Sequence, residues 1–308
     1  MGSVPSRLEP GQSRTITFPS PVDLALTLGP LRRGKADPSV LVGPDGIWRA
    51  SRTPAGPATT RLTSTGASVT ARAWGPGAEW ALGALPALVG AADPADDFEP
   101  HDPVVGALHR RFPGLRIGRS AAVVEALVPT VLEQKVVGLD ARRSYARLVR
   151  ALGEPAPGPV GLVVPPAPAA WVATPSWVFH RAGVERKRAD TIRVACSYAR
   201  RLEEITEMTL ADAYDRLTAL PGVGAWTAAE VGLVALGDAD AVSVGDFHLP
   251  DQVAWALAGE ARADDARMLD LLEPYRGHRG RVIRLISMGA PRPPRYGPRM
   301  PLSAIAGH

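Results

Sequence analysis

The segment "LPGVGAWTAAEV", residues 220–231, joins a glycine-containing turn to the start of a helix. Pro221, Gly222 and Gly224 end the preceding helical pattern, and glycine lets a ligand approach the main chain because it has no Cβ. The next helix begins near Ala225, and its unbonded N–H groups favour an anion such as a phosphate. Taken alone, the pattern also fits an ordinary turn between two helices.

A second segment, "VSVGDFHLPDQVAWAL" (242–257), places Asp246 just before another predicted helix. A carboxylate here could serve in catalysis, since it can stabilise positive charge or orient water. Aspartate is also a common helix N-cap, and that alternative stays open for Asp246. Asp251 is the rival carboxylate, although its place after Pro250 suits a first-turn charge.

Together, the hairpin and the later aspartate resemble the helix–hairpin–helix, Gly/Pro-rich, aspartate superfamily of DNA glycosylases. Three further segments agree with this resemblance: "EALVPTVLEQKVV" (125–137), "RAGVERKRADTIRVA" (181–195) and "EPYRGHRGRVIRLI" (273–286). The resemblance covers roughly residues 103–287. The strand-rich start followed by this helical part resembles the alkylation-repair branch, that of bacterial 3-methyladenine DNA glycosylase II.

The resemblance implies roles for individual residues. Asp246 would be the catalytic carboxylate. The residues implied in DNA binding are Lys135, Val136, Pro221, Gly222, Val223, Gly224 and Ala225. The residues implied in the base pocket are Gln134, Trp226, Glu230 and Arg284. The main-chain carbonyls of Thr218, Leu220 and Val223 would hold a structural Na⁺ or K⁺, and no other cofactor is expected.

Some family members use a lysine amine as nucleophile and then cut the strand. That position holds Trp226 here, and the lysines of this chain are Lys35, Lys135 and Lys187. The resemblance therefore implies a monofunctional glycosylase that releases a base and leaves an abasic site. Core packing is the alternative for Trp226.

A base inside a duplex must be flipped out before it can reach Asp246, and a side chain must fill the gap. Gln134, Lys135 and Val136 occupy the matching place, although they could equally form the end of a buried helix. The best-known alkylation-repair members carry aromatic residues where this chain has Glu230 and Arg284. We expect these two charges to pair or to hydrogen-bond a base, unless both face solvent.

The composition sets the wider bounds. The chain has 308 residues, a hydrophobic share of 45% and a net charge of +4. Its one cysteine, Cys196, excludes an internal disulfide and a four-cysteine zinc or iron–sulfur site. Because no apolar run could span a membrane and no apolar signal core starts the chain, we expect a cytoplasmic, bacterial-type protein at the nucleoid, without membrane contact.

Charge is concentrated near the end of the chain, where no acidic residue follows Glu273. The arginines beyond it are Arg276, Arg279, Arg281, Arg284, Arg292, Arg295 and Arg299. Such a segment favours contact with phosphates, although it could also be a solvated tail.

The predicted fold class is α+β, with a helical core and a smaller N-terminal domain of antiparallel sheet plus helix. Short alternating segments at 14–18, 39–42, 46–51 and 68–74 predict strands, and residues 77–90 predict one helix over them. Helical spacing then begins at residue 103, and the Pro/Gly-rich stretch 153–170 is expected to be a surface loop. The expected divisions are 1–102, an α/β domain with an acidic linker; 103–288, the helical domain; and 289–308, a Pro/Arg-rich tail.

The sequence therefore predicts a monomeric DNA glycosylase of base excision repair, acting on damaged bases, alkylated purines above all, in double-stranded DNA. Three alternatives remain: a non-catalytic binder of damaged or abasic DNA, a glycosylase for another lesion class, and a structural subunit of a larger assembly.

Overall fold

The computed structural model describes residues 11–294 of the chain, so Arg295, Arg299 and most of the predicted tail lie outside the described residues. An antiparallel sheet comes first and a set of helices follows, which confirms the predicted α+β class. Within residues 11–294, no helix is both long enough and apolar enough to cross a membrane.

The N-terminal sheet has five strands: β1 Gln12–Thr17, β2 Val40–Gly43, β3 Gly46–Thr53, β4 Gly56–Thr65 and β5 Ser68–Trp74. Their order is β1-β5-β4-β3-β2, and every neighbouring pair is antiparallel. The sequence predicts all of them except β4. This strand lies at the centre of the sheet and buries three consecutive residues, including Thr59 and Thr60, so it lacks the alternation that marks a half-buried strand.

Three short helices belong to this part of the chain: α1 Leu24–Leu28, α2 Ala78–Gly83 and α3 Leu85–Leu88. The single helix predicted over 77–90 is wrong, because it is two helices that meet at Ala84. Pro86 stands at the start of α3, where its missing N–H cannot continue the hydrogen bonding of α2. Both helices pack on one face of the sheet, where Leu82 and Leu85 join its apolar core.

The expected surface loop at 153–170 is also wrong. It contains two very short strands, β6 Glu154–Pro155 and β7 Val163–Val164, and its main chain bonds back to the N-terminal part through Val163 N and Pro38 O at 2.9 Å. Leu162 and Val164 are buried against Trp48 of the sheet. The Pro/Gly-rich segment therefore packs on the second face of the sheet and does not form a solvated loop.

Most of the rest of the described chain is helical. They are α4 Pro103–Arg111, α5 Val123–Glu133, α6 Gly138–Leu152, α7 Pro168–Ala173, α8 Ser176–Arg181, α9 Arg186–Ser197, α10 Ala199–Glu203, α11 Leu210–Thr218, α12 Ala225–Val231, α13 Leu249–Ala258, α14 Asp265–Leu272 and α15 Arg279–Gly289.

These helices enclose two separate apolar cores. The first lies among α5, α9 and α12, with Leu127 and Ile192 fully buried. The second lies among α4, α13, α14 and α15, with Leu272 and Leu285 fully buried. The chain passes from the first core to the second between α12 and α13, and Asp246 lies on that connection.

Ionic contacts join the sheet to the helices. Glu125 in the first turn of α5 accepts hydrogen bonds from Arg49 Nη2 at 2.8 Å and from the Arg52 amide at 2.6 Å. Burial raises the pKa of Glu125, although Arg49 opposes the shift. At the other end of α5, Glu133 lies 3.6 Å from Arg33. The N-terminal part is therefore fastened to both ends of α5, the helix after which Gln134 contacts the hairpin.

The hairpin between α11 and α12 depends on Gly222, whose φ is +86°. A Cβ there would lie 2.3 Å from Thr191 Oγ1 on α9, so the turn sits directly against that helix. Gly224 differs, because it precedes α12 with a φ of −104° and a Cβ would meet nothing within 4 Å. Of the two hairpin glycines, only Gly222 therefore has a conformation and surroundings that exclude a side chain.

We expect Gly222→Ala to lower the free energy of unfolding by about 1–3 kcal/mol, because alanine is strained at positive φ and its methyl group meets Thr191. Gly224→Ala is the matched control and should cost only about 0.5 kcal/mol, the difference between glycine and alanine at a helix N-cap. Urea unfolding of both variants checks this. Equal losses would contradict the account of the turn.

Candidate active site

Asp246 is half-buried on the connection between the two helical cores, and both of its oxygens are engaged. The indole Nε1 of Trp226 donates to Oδ2 at 3.1 Å, which links the carboxylate to the first turn of α12. The amides of His248 and Leu249 donate to Oδ1 at 2.8 and 2.9 Å. Asp246 therefore accepts from the amides of the N-cap residue and of the first residue of α13 with one oxygen and meets Trp226 with the other. The N-cap residue itself is His248, so the N-cap role weighed for Asp246 is wrong, although its carboxylate does bind the start of the helix.

Asp251, the rival carboxylate, is occupied elsewhere. Its Oδ2 accepts from Arg262 Nη1 at 3.1 Å, and its Oδ1 accepts from the amide of Ala263 at 3.0 Å. These contacts fasten the segment after α13 and have no link to Trp226. Within the described residues, Asp246 is thus the carboxylate of the pair that contacts the hairpin helix.

The hairpin presents main chain rather than side chains. Pro221, Gly222, Gly224 and Ala225 are exposed, whereas the side chain of Val223 is buried in the first helical core. The first intrahelical bond of α12 runs from Ala228 N to Gly224 O at 2.9 Å, so the amides before Ala228 precede the hydrogen-bonded helix. A DNA contact by Val223 would have to come from its main chain.

Gln134 at the end of α5 is bound to the hairpin. Its Nε2 donates to the carbonyl of Gly222 and to Oγ1 of Thr227, both at 2.9 Å. The next residue, Lys135, is exposed and has a left-handed φ of +54°, and Val136 is half-buried. Lys135 thus projects beside the hairpin, while the amide of Gln134 holds α5 and α12 together. Contacts of Gln134, Lys135 and Val136 with DNA stay predictions.

Glu230 and Arg284 do not pair, so that expected arrangement is wrong, and both side chains are half-buried. A hydrogen bond from either of them to a flipped base stays a prediction. Oε1 of Glu230 accepts from Ser243 Oγ at 2.5 Å. Arg284 Nη2 donates to the carbonyl of Leu26 at 2.6 Å, and Arg284 lines a cavity together with Leu233. Burial lowers the pKa of Arg284 to about 10, with Glu230 opposing the shift. Arg284 thus contacts the N-terminal part through the main chain of α1.

The carbonyls of Thr218, Leu220 and Val223 bracket the hairpin turn. Leu220 O already accepts from Val223 N at 3.0 Å, which leaves its second lone pair for another partner. The described residues contain no cluster of three or more His, Cys, Asp or Glu suited to a metal ion. A monovalent ion held by these carbonyls stays a prediction.

Solved structures share this arrangement of elements. A 3-methyladenine DNA glycosylase from Archaeoglobus fulgidus matches with a TM-score of 0.76 at 19% identity, over 89% of this chain and 97% of that chain. The chain has the fold of the helix–hairpin–helix DNA glycosylases. An 8-oxoguanine glycosylase/lyase from Clostridium acetobutylicum matches with a TM-score of 0.69 at 12% identity, over 89% of this chain and 95% of that chain.

One group of curated proteins is similar in sequence. Over 150 residues the chain is 33% identical to a probable bifunctional transcriptional activator/DNA repair enzyme AlkA of Mycobacterium tuberculosis, a match that covers 48% of this chain and 30% of the relative. The chain therefore spans less than a third of the curated relatives that it matches. No protein-family model matches it.

Three residues near the centre of this glycosylase fold were missed by sequence reasoning. Ser243 binds Glu230, and Arg33 and Glu133 lie close enough to influence the charge of Glu230. Ser243 could have been noticed, because it stands three residues before Asp246. Arg33 offers no such signal, since only the packing of the N-terminal part on α5 brings it here.

The contact between Trp226 and Asp246 can be tested by Trp226→Phe, which keeps an aromatic ring and removes the N–H. A hydrogen bond to a charged group contributes about 1.5–3 kcal/mol, so we expect a loss near the lower end at this half-buried site. Trp255→Phe is the matched control, because the half-buried Trp255 makes no indole hydrogen bond within residues 11–294.

Denaturant unfolding of Trp226→Phe, of Asp246→Ala and of the variant that carries both changes measures the coupling. Trp255→Phe is unfolded in the same way as the control. A coupling of at least about 0.5 kcal/mol between positions 226 and 246 is expected. Additive losses would mean that the contact contributes nothing.

Proposed function

We propose that the protein is a monofunctional DNA glycosylase that hydrolyses the N-glycosidic bond of damaged bases, alkylated purines above all, in double-stranded DNA. The observation that carries this proposal is the contact of Asp246 Oδ2 with Trp226 Nε1 at 3.1 Å. It joins a carboxylate to the helix that begins at the hairpin, at the boundary between the two helical cores. The names of the similar proteins, a DNA repair enzyme and a 3-methyladenine DNA glycosylase, support the same reaction class.

Asp246 is the catalytic carboxylate of this proposal. As the bond between base and sugar breaks, positive charge builds on the sugar, and a nearby carboxylate stabilises it and orients the attacking water. The amides of His248 and Leu249 and the indole of Trp226 fix the carboxylate in place, so it needs little reorganisation during the reaction.

In this proposal the hairpin binds the DNA backbone, and the damaged base reaches Asp246 by flipping out of the duplex. The unbonded main-chain amides at Gly222, Gly224 and Ala225 are exposed and would bind a phosphate of the DNA. A monovalent ion at the hairpin carbonyls would add positive charge there. Lys135 beside it meets the gap that the flipped base leaves. The flipped base stacks on Trp226, and a cationic alkylated purine gains from such a ring face.

Several features support release of the base without strand cleavage. Trp226 stands where lyases of this fold carry an amine, and Lys135, next to the hairpin-bound Gln134, lies outside α12, after the end of α5. The single cysteine, Cys196, is buried, which suits an enzyme without an iron–sulfur cluster. We further propose that the protein acts as a cytoplasmic monomer.

Asp246→Asn tests the carboxylate. The side-chain oxygen of asparagine can still accept from the amides of His248 and Leu249, so the fold should persist. Base release should fall by about 100-fold or more, or ~3 kcal/mol of transition-state stabilisation. Asp251→Asn is the matched control and should keep its activity, because Asp251 binds Arg262 outside the site. Single-turnover release from methylated duplex DNA measures both. Release at the wild-type rate by Asp246→Asn would mean that Asp246 only holds the start of α13 and takes no part in catalysis.

Borohydride trapping tests the monofunctional mechanism. An imine between protein and abasic sugar requires an amine at the reacting carbon, and Trp226 cannot supply one. We expect no covalent complex with abasic DNA and no strand cleavage before alkali. A trapped complex that maps to Lys135 would overturn this mechanism, and Lys135→Gln would then abolish trapping.

A further inference from the structure

Glu230 belongs to the same site as Asp246. It lies one turn after Trp226 on α12, so the two side chains share a helix face. Ser243 Oγ donates to Glu230 Oε1 at 2.5 Å, and the Ser243 carbonyl accepts from the Asp246 amide at 3.2 Å. The loop that carries Asp246 is therefore fastened to α12 at two points, Trp226 and Glu230.

The charged groups around Glu230 come from four directions. Arg33 approaches from the N-terminal part, Glu133 from the end of α5, Asp246 from its loop and Arg284 from α15. Both arginines are engaged elsewhere, Arg33 with Glu133 and Arg284 with a main-chain carbonyl. No ion pair reaches Glu230 within residues 11–294. A carboxyl group in this position has two carboxylates for neighbours and no bonded cation.

This environment favours the protonated form of Glu230. Burial raises its pKa above the usual carboxyl range, and Glu133 and Asp246 act in the same direction. The hydroxyl of Ser243 and the charge of Arg33 oppose the shift. Asp246 is surrounded differently, since three N–H groups donate to it. Two carboxyl groups with contrasting surroundings are the usual basis for dividing acid and base roles.

One oxygen of Glu230 remains for a ligand. Ser243 occupies Oε1, while Oε2 makes no hydrogen bond or ion pair in the described part of the chain. It is also not among the fully buried polar atoms that lack a partner, so part of its surface is accessible. We propose that Glu230 donates a proton from this side to the flipped base as the glycosidic bond breaks, and that the protein therefore releases uncharged damaged bases as well as cationic alkylated purines.

Proton transfer from Glu230 rests on the proposed glycosylase function and accompanies cleavage of the glycosidic bond. The bond between the sugar carbon and the base nitrogen breaks with its electron pair going to the base. The base takes the Glu230 proton, and water adds to the sugar carbon while its own proton passes to Asp246. A cationic purine leaves as a neutral base without this proton, whereas an uncharged base would leave as an anion. Glu230 thus matters most for uncharged bases.

The test compares two duplexes, one with N7-methylguanine and one with hypoxanthine, in single-turnover release across pH 5–9. With wild-type protein, hypoxanthine release should fall as the pH rises through the pKa of Glu230, because the acid is lost. Glu230→Gln keeps an acceptor for Ser243 but has no proton to transfer. It should slow hypoxanthine release at least tenfold more than N7-methylguanine release, and remove the alkaline limb of the hypoxanthine profile.

Ser243→Ala separates proton transfer from positioning. Loss of the Ser243 hydroxyl removes a contact that lowers the pKa of Glu230, so the alkaline limb for hypoxanthine should move to higher pH. A residue that only holds the Asp246 loop would produce no such movement. Equal slowing of both bases by Glu230→Gln, or an unmoved limb in Ser243→Ala, overturns the acid role.

Two results with wild-type protein distinguish this inference from the proposed function. Release of N7-methylguanine without any release of hypoxanthine overturns the inference alone. Release of neither base overturns both. Because these results need no variant, the inference stays testable even if Glu230→Gln fails to fold.

Discussion

The hydrogen bond from Trp226 to Asp246 is the contact on which the site depends. Each helical core buries its own apolar side chains, and neither core alone would bring a carboxylate to the hairpin. The connection between α12 and α13 crosses from one core to the other, and the indole–carboxylate contact fixes where it crosses. The position of Asp246 relative to the hairpin is thus a product of packing in two places.

The hairpin is held from behind by polar contacts. Gln134 ties the Gly222 carbonyl to α5, and Thr191 of α9 lies directly against the turn. In turn, α5 is capped at its start by Glu203, whose two oxygens accept from Val123 and Val124 at 2.9 Å. These contacts leave the outward face of the turn free for a ligand that approaches the main chain, as phosphate binding requires.

The sequence was informative where function depends on local spacing. The glycines of the hairpin, Trp226 and Asp246 follow one another closely in the chain, so a family resemblance could place them. It failed for Glu230 and Arg284, which look like a pair because both replace aromatic residues. Their partners, Ser243 and the Leu26 carbonyl, are set by how the Asp246 loop and the N-terminal part pack.

Strand β4 and the stretch 153–170 escaped prediction for a related reason. Burial on both faces of a central strand removes alternation, and a Pro/Gly-rich segment can cover a sheet face when apolar residues such as Val164 are interspersed. Arg33 is the extreme case. Its charge lowers the pKa of Glu230, which lies more than a hundred residues later in the chain, and no sequence pattern predicts this effect.

The departure of this site from an aromatic cage is electrostatic. In the proposed site, a carboxyl group on the hairpin helix stands where the resemblance implies an aromatic residue, and the carboxyl groups of Glu133 and Asp246 lie close to it. Such a site attracts cations and can donate protons, two properties that an aromatic wall lacks. Selectivity among bases would then follow from charge and hydrogen bonding more than from shape.

The most direct measurement is chromatography of the bases released when the wild-type protein is incubated with randomly methylated duplex DNA. The account predicts that free methylated purines appear while the strands stay intact until alkali is added. If no base is released, although the protein binds the DNA, then the contact of Trp226 with Asp246 serves only the fold, and the account of a glycosylase site is contradicted.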